Sequence, residues 1–434
     1  MNGNSLVLLP LFAIICLFSS ESVATEDCSI YKSDLNIISL NPFYVRTQYY
    51  PTITSAAWDG VQITAFLIKN DRNPSSNIVC LKNLTTLTVI NTNLTLTADI
   101  RNLLNLTRLV IQSNNETIGE HLPAELGELA LLTYLELVDL GQLKDIPQEL
   151  KQLQTLKLNG LPNFENISEN LLSLQTLQIQ NCKNFTQLPS TVNQFKLLSS
   201  LVITETNLNT LKLNDLSYLS AIQVSKNPQL TTVTLINLSF LSVLDLSMNL
   251  NLTELTVDNL QKLYSLDLSY CQLEIFPETI LKLSSLEILR LQYNRLTSLP
   301  EQLSTSLPKL KVLYLSSNKF QGQLPLKLPV LANLKELYLS RNQLTTLETI
   351  GQYQQLSILN ADFNNITAIP MEIMQLLLTL QNLDLHQNSL TSVPYQMSNM
   401  AKLQTLNVQL NDITYQEKQN IQQVFRQTSI SVTL

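Results

Sequence analysis

The sequence predicts an α/β solenoid: a curved, right-handed horseshoe with a parallel β-sheet on its concave face and short irregular or 3₁₀ returns on its convex face. Three observations predict it. Leucines recur in one fixed frame for most of the chain, they alternate with polar residues over a strand's length, and an asparagine recurs three places after the last strand leucine. The frame is clearest in Leu286-Glu287-Ile288-Leu289-Arg290-Leu291-Gln292-Tyr293-Asn294-Arg295-Leu296, followed by Pro300. It reads L-x-x-L-x-L-x-x-N-x-L. One such unit cannot bury its leucines alone, whereas stacked copies pair strand to strand and share one core.

Copies begin at Leu84, Leu106, Leu132, Leu153, Leu174, Leu198, Leu219, Leu241, Leu263, Leu286, Leu310, Leu334, Leu356, Leu380 and Leu403. Prolines punctuate the returns at Pro147, Pro189, Pro277, Pro300, Pro325, Pro370 and Pro394, which favours turns and 3₁₀ segments over long helices. The ninth place holds Asn114, Asn227, Asn249, Asn294, Asn318, Asn342, Asn364, Asn388 and Asn411. Cys182, Cys271, Thr92 and Thr206 occupy the same place, so both cysteines are expected to be buried free thiols. Four repeats separate them, roughly 19 Å at 4.8 Å per strand, well beyond disulfide reach. Leu140 and Leu161 also fill the ninth place, and irregularity is expected between about residues 132 and 170.

This frame resembles the leucine-rich-repeat (LRR) superfamily, in a secreted typical or plant-like form, over about three quarters of the chain. Asn318-Lys-Phe-Gln-Gly-Gln-Leu-Pro325 is similar to the plant-type repeat, and Trp58-Asp59-Gly60-Val61 resembles a plant extracellular N-cap motif. The cysteines that flank that motif in the family are replaced here by Ala56 and Ile63. The resemblance implies that the ninth-place asparagine is buried and bonds loop backbone along the stack. It implies protein interaction as the class of function.

Composition narrows the function. A net charge of −7 and a pI of about 5.1 oppose a nucleic-acid binder. The 8 glycines form no phosphate-cradling motif. Residues 1–24 read as a secretory signal, with an apolar run from Leu6 to Phe18 and small residues at Ser22 and Ala24. That run is too short to span a bilayer, and no later segment is a candidate span. Residues 25–83 form an N-terminal cap in which Ile63, Phe66 and Ile68 already keep the phase of the repeats, so a first degenerate repeat falls inside it. Residues 84–411 carry about 15 repeats. Residues 412–434 form a C-terminal cap, with a short amphipathic helix over Tyr415–Gln427 and a last strand from Ser429. Cys28 and Cys80 flank the N-terminal segment, and a bridge between them would stabilise that end by roughly 2–4 kcal/mol.

Chemistry is sparse. The seventh place of successive repeats holds Ser340, Asp362 and His386, but a hydrolase triad needs its histidine in the middle. Asp362, Asp384 and His386 are better read as solvated groups than as metal ligands, and His121 as a surface residue in a return. No catalytic residue, metal or cofactor is expected. Nine sequons occur, at Asn83, Asn93, Asn105, Asn115, Asn166, Asn184, Asn237, Asn251 and Asn365. Chance gives roughly seven in a chain so rich in Asn, Ser and Thr, so their placement outside the strand cores says more than their number.

The second, third, fifth, seventh and eighth residues of each strand point to the concave face. In early repeats these are mainly Thr, Gln, Ser and Val; from Leu241 they become charged and aromatic. The expected ligand-binding residues are Asp245, Asp267, Tyr270, Arg290, Tyr293, Tyr314, Tyr338, Arg341, Phe363, Asp384 and His386, with Tyr264 nearby. The function read from them is capture of a protein or peptide ligand by a secreted, non-enzymatic protein. A self-associating matrix protein or homodimer is one alternative, though the sequence displays no long apolar edge. An inhibitor of a secreted enzyme, as in plant polygalacturonase-inhibiting proteins of similar architecture, is another.

Overall fold

The computed structural model describes residues 53–58, 63–70, 78–79, 81–113, 118–323 and 331–434. The signal segment, Cys28, Cys80, Asn114, Asn115 and Pro325 lie outside them. The chain divides into two compact units, Met1–Leu208 and Asn209–Leu434.

In the first unit, strand Ile53–Trp58 runs antiparallel to Ile63–Lys69, and that strand opens a parallel series. Thr86–Ile90, Arg108–Gln112, Tyr134–Val138, Thr155–Asn159, Thr176–Gln180 and Ser200–Thr204 follow, each bonded to the next with equal frame places opposite one another. From Thr86–Ile90 onward the fourth and sixth places of each strand are buried, as at Leu156 and Leu158, with the residue between them more exposed. Each leucine so buried contributes about 2 kcal/mol.

The second unit continues the frame with shorter strands: Ala221–Ser225, Val243–Asp245, Ser265–Asp267, Ile288–Arg290, Val312–Tyr314, Glu336–Tyr338, Ile358–Asn360, Asn382–Asp384, Thr405–Asn407 and Ser431–Thr433. The repeat-starting leucines from Leu84 to Leu403 are all buried. Prolines open the returns as expected. The carbonyls of Pro277, Pro370 and Pro394 accept the first bonds of 3₁₀ helices Glu278–Lys282, Met371–Leu376 and Tyr395–Asn399. The C-terminal helix is Tyr415–Phe425, with Ile421 and Phe425 buried and the Thr414 hydroxyl accepting from the Glu417 N–H.

Three successive returns are built as strands. Thr210–Asn214, Thr232–Ile236 and Glu254–Asp258 form a second parallel sheet. These segments lack proline and alternate Leu or Val with polar residues, so the backbone extends. The Glu254–Asp258 edge is closed by Thr279, whose hydroxyl donates to the Leu255 carbonyl, and by Lys282, which pairs with Asp258 at 3.1 Å.

The asparagine ladder is present in the second unit. Asn318 Nδ2 donates to the Leu291 and Leu315 carbonyls, and its Oδ1 accepts from Leu296 N–H. Asn249, Asn294, Asn342, Asn364, Asn388 and Asn411 repeat the donor pattern, reaching a carbonyl of their own coil and one of the coil before. Cys182 and Cys271 are free and buried. The Cys271 thiol donates to the Leu246 carbonyl in the asparagine's stead, and burial pushes its pKa up to about 12 and that of Cys182 up to about 11.

The expected irregularity at residues 132–170 is absent. Leu140 and Leu161 are fully buried, and pairing runs unbroken from Arg108–Gln112 to Thr176–Gln180. The coils hold without the asparagine because the eighth-place N–H bonds the seventh-place carbonyl of the next coil: Asp139 to Asn159 and Gly160 to Gln180. The ladder asparagine reinforces a turn that backbone bonds already close.

Candidate functional site

The expected site residues of the second unit lie in register. The fifth places Asp245, Asp267, Arg290, Tyr314, Tyr338, Asn360 and Asp384 are opposite one another in successive strands. Neighbouring rings stack. Tyr314 and Tyr338 have centroids 4.4 Å apart at 3°, and Tyr270 and Tyr293, in the eighth row, 4.1 Å apart at 9°. Phe363 stacks on His386 at 5.0 Å. The Arg341 guanidinium lies 4.1 Å over Phe363, and that of Arg290 lies 5.2 Å from the Tyr314 ring while an N–H reaches Ser265 Oγ.

The acidic residues are built into the turns. Oδ1 of Asp245, Asp267 and Asp384 accepts the N–H of the seventh-place residue, Ser247, Ser269 and His386 respectively, and Asn360 does the same for Asp362. Burial raises the Asp267 carboxyl above the usual carboxylate range. The Tyr338 phenol is also raised, first by burial and then by its bond to Glu336 Oε2. Ser340 donates to Asn360 Oδ1 rather than to a histidine. Among the described residues no group of three or more His, Cys, Asp or Glu is placed to hold a metal. Asp362 Oδ1, His386 Nε2 and Gln292 Oε1 are buried with no bonding partner.

The frame does not reveal that the eighth place is left-handed in coil after coil. In the first unit it is filled by Asn70, Asn91, Ser113, Asp139, Gly160, Asn181 and Glu205, most of them residues that tolerate positive φ. At Gly160 a Cβ would also collide with the Asp139 carboxylate. In the second unit the same φ of 51–59° is held by Lys226, Met248, Tyr270, Tyr293, Ser317, Arg341, Phe363, Gln387 and Leu410. Bulky side chains there cost about 1 kcal/mol each in backbone strain and stand on the open face of the sheet.

The first unit holds a cluster that the repeat frame leaves hidden. The Arg108 guanidinium lies 3.5 Å over the Tyr134 ring and 3.4 Å from Glu136, whose carboxylate also accepts the Tyr134 hydroxyl, while Lys157 approaches the same ring. Its four residues come from three repeats, so no single repeat displays it. Leu104, Leu131, Leu172 and Leu197, each just before the first leucine of its repeat, are exposed. His121 is at the surface as expected, 2.8 Å from Asp145. Sequon residues Asn93, Asn105, Asn166, Asn184, Asn237, Asn251 and Asn365 are exposed, and Asn83 is half-buried. Among the described residues no helix is long and apolar enough to cross a membrane.

Leucine-rich-repeat family models match residues 262–283, 274–322, 333–352 and 354–413. A solved leucine-rich-repeat protein of Leptospira interrogans is 29% identical with a TM-score of 0.62, covering 83% of this chain and 92% of that one. Ras guanine nucleotide exchange factor V of Dictyostelium discoideum is 35% identical over 157 residues, 30% of this chain and 8% of the relative. Receptor-like protein 41 of Arabidopsis thaliana is 35% identical over 133 residues, 30% of this chain and 15% of the relative. The chain therefore spans a small part of the length of these two curated relatives. Together with the frame, the parallel coils and the asparagine ladder, these matches place the chain in the leucine-rich-repeat superfamily.

Proposed function

We propose that the chain is a secreted, non-enzymatic binding protein that takes a protein or peptide ligand on the open face of the second unit. The observation that carries the reading is the eighth row. Tyr270, Tyr293, Arg341 and Phe363 hold left-handed backbone that asparagine or glycine would hold at lower cost. Scaffolding alone gives no reason to accept that strain, whereas presentation of rings and guanidinium groups to a partner does. The rings are stacked before any ligand arrives, so little side-chain entropy is lost on binding. The signal-like N-terminus, a Cys28–Cys80 bridge and sugars on the exposed sequons complete the secreted reading. The receptor-like relative is consistent with it.

The test is a pull-down from the native secretome with the wild-type chain and with Arg290, Tyr293, Tyr314 and Tyr338 all replaced by Ala. Loss of the captured partner with an unchanged circular-dichroism spectrum is expected. Equal capture by the variant overturns the assignment of this face.

A further inference from the structure

The charges at fifth to eighth places of seven consecutive coils in the second unit form a palindrome. Asp245 lies on the first coil, Asp267 on the second and Arg290 on the third. The fourth coil is uncharged and presents Tyr314. Arg341 lies on the fifth coil, Asp362 on the sixth and Asp384 on the seventh. The order is acid, acid, base, neutral, base, acid, acid. Other charges on these coils are occupied locally or stand at the edge. Lys311 pairs with Glu287 at 2.7 Å, Glu336 accepts the Tyr338 hydroxyl, and Lys335 is exposed at a second place, outside the fifth-to-eighth rows.

Neither Arg290 nor Arg341 has a carboxylate within ion-pairing distance among the described residues. Each guanidinium is held against a ring instead, which fixes its plane and leaves an N–H fork for a carboxylate. Asp245 and Asp267 stand side by side, each with Oδ1 in its turn, and the Asp267 carboxyl also accepts from the Ser269 hydroxyl. Asp362 Oδ1 is buried with no bonding partner.

A palindromic face is poorly suited to its own copy. A second chain laid centrally over it by a two-fold axis along the stack sets each charge against itself. An axis across the stack sets Asp245 against Asp384, Asp267 against Asp362 and Arg290 against Arg341. Like charges then meet in both arrangements.

We infer that the occupant of this face is an extended segment of a different protein, with two carboxylates at its centre and a basic residue on each flank. This rests on the reading of the face as a binding surface. Arg290 and Arg341 are two coils apart, about 10 Å along the stack, or about three residues of extended chain. From each arginine to the nearer acidic pair is about 7 Å, or about two residues. The complementary segment is Lys-x-Glu-x-x-Glu-x-Lys, with its central residues over the Tyr314–Tyr338 stack.

The test selects a displayed library of random twelve-residue peptides on the full chain at low salt, then measures the enriched peptides and synthetic probes by fluorescence anisotropy. Enrichment of paired central acids with basic flanks is expected. The Lys-x-Glu-x-x-Glu-x-Lys probe is expected to bind at least about tenfold tighter than its charge-inverted counterpart, and that preference is expected to collapse in an Arg290→Glu/Arg341→Glu variant, whose face is acidic throughout. Enriched peptides that lose binding to the four-alanine variant but carry basic centres, or no charge order, overturn the inference and leave the binding face standing. Enriched peptides indifferent to the four-alanine variant, or no enrichment at all, overturn both. A dimer in light scattering that the Arg290→Glu/Arg341→Glu variant abolishes overturns the inference in favour of a second copy.

Discussion

Tyr314 and Tyr338 occupy the same place in neighbouring coils, and their rings lie 4.4 Å apart and 3° from parallel. The strand spacing alone brings the two side chains into van der Waals contact, so the stack is a product of register. Replacing Tyr338 by Ala removes the stack and the hydrogen bond to Glu336, and is expected to destabilise the chain by about 1 kcal/mol in thermal melting. Tyr338→Phe keeps the ring and is expected to retain most of that stability. A Phe variant as damaged as the Ala variant would show that the hydroxyl dominates.

The left-handed backbone at Tyr293 predicts opposite effects on stability and binding. Tyr293→Asn relieves a φ of 58° and is expected to raise stability by about 0.5–1 kcal/mol while weakening ligand capture. Chemical denaturation reads the first effect and binding the second. A destabilised variant would mean that stacking on Tyr270 outweighs the strain.

At the ninth place, Asn318→Leu takes one of two amide donors from each of the Leu291 and Leu315 carbonyls, which keep Asn294 and Asn342, and leaves the Leu296 N–H without its side-chain partner. A loss of about 2 kcal/mol is expected. Cys271→Asn runs the other way. The thiol donates to Leu246 but is a poor acceptor, so the full amide is expected to add about 1 kcal/mol. Urea denaturation curves check both, and no gain from Cys271→Asn would show that the thiol is already adequate.

Both cysteines are expected to resist alkylation by iodoacetamide at pH 8. With pKa values near 11 and 12, about one thiol in a thousand or fewer is ionised, and burial blocks access as well. Both should react at once in denaturant. The raised values also set a direction for stability. The unfolded thiols ionise first, near 9.0, so the thiol contribution is intact below that pH and declines as pH rises toward 11–12. Rapid native labelling would contradict the buried placement.

The core was legible in the sequence because burial leaves a period. A leucine at the first, fourth or sixth place has one way to face, and the buried leucines from Leu84 to Leu403 follow it. The open face was legible for the same reason, by subtraction. Backbone conformation was not, since nothing in the spacing of Tyr270, Tyr293 or Phe363 distinguishes a left-handed residue from an extended one. The second sheet did leave a trace in the alternation of Thr210-Leu-Lys-Leu-Asn214, Thr232-Val-Thr-Leu-Ile236 and Glu254-Leu-Thr-Val-Asp258, but the strong leucine frame masked it. The irregularity expected at Leu140 and Leu161 failed for a different reason. The weight given to the asparagine belongs to the backbone bonds of Asp139 and Gly160, which do not depend on the ninth-place side chain.

The asparagine ladder has a consequence for how the second unit comes apart. The amide of Asn318 joins its own coil to the coil before it, and those of Asn342 and Asn364 do the same one step further along. Cohesion of this kind is a chain of nearest-neighbour couplings, as in a one-dimensional lattice. Opening should therefore travel as a front from a free end, coil by coil. A fault such as Asn318→Leu would act as a domain wall at which that front halts or starts, and hydrogen exchange would register it as a step in protection on one side of residue 318.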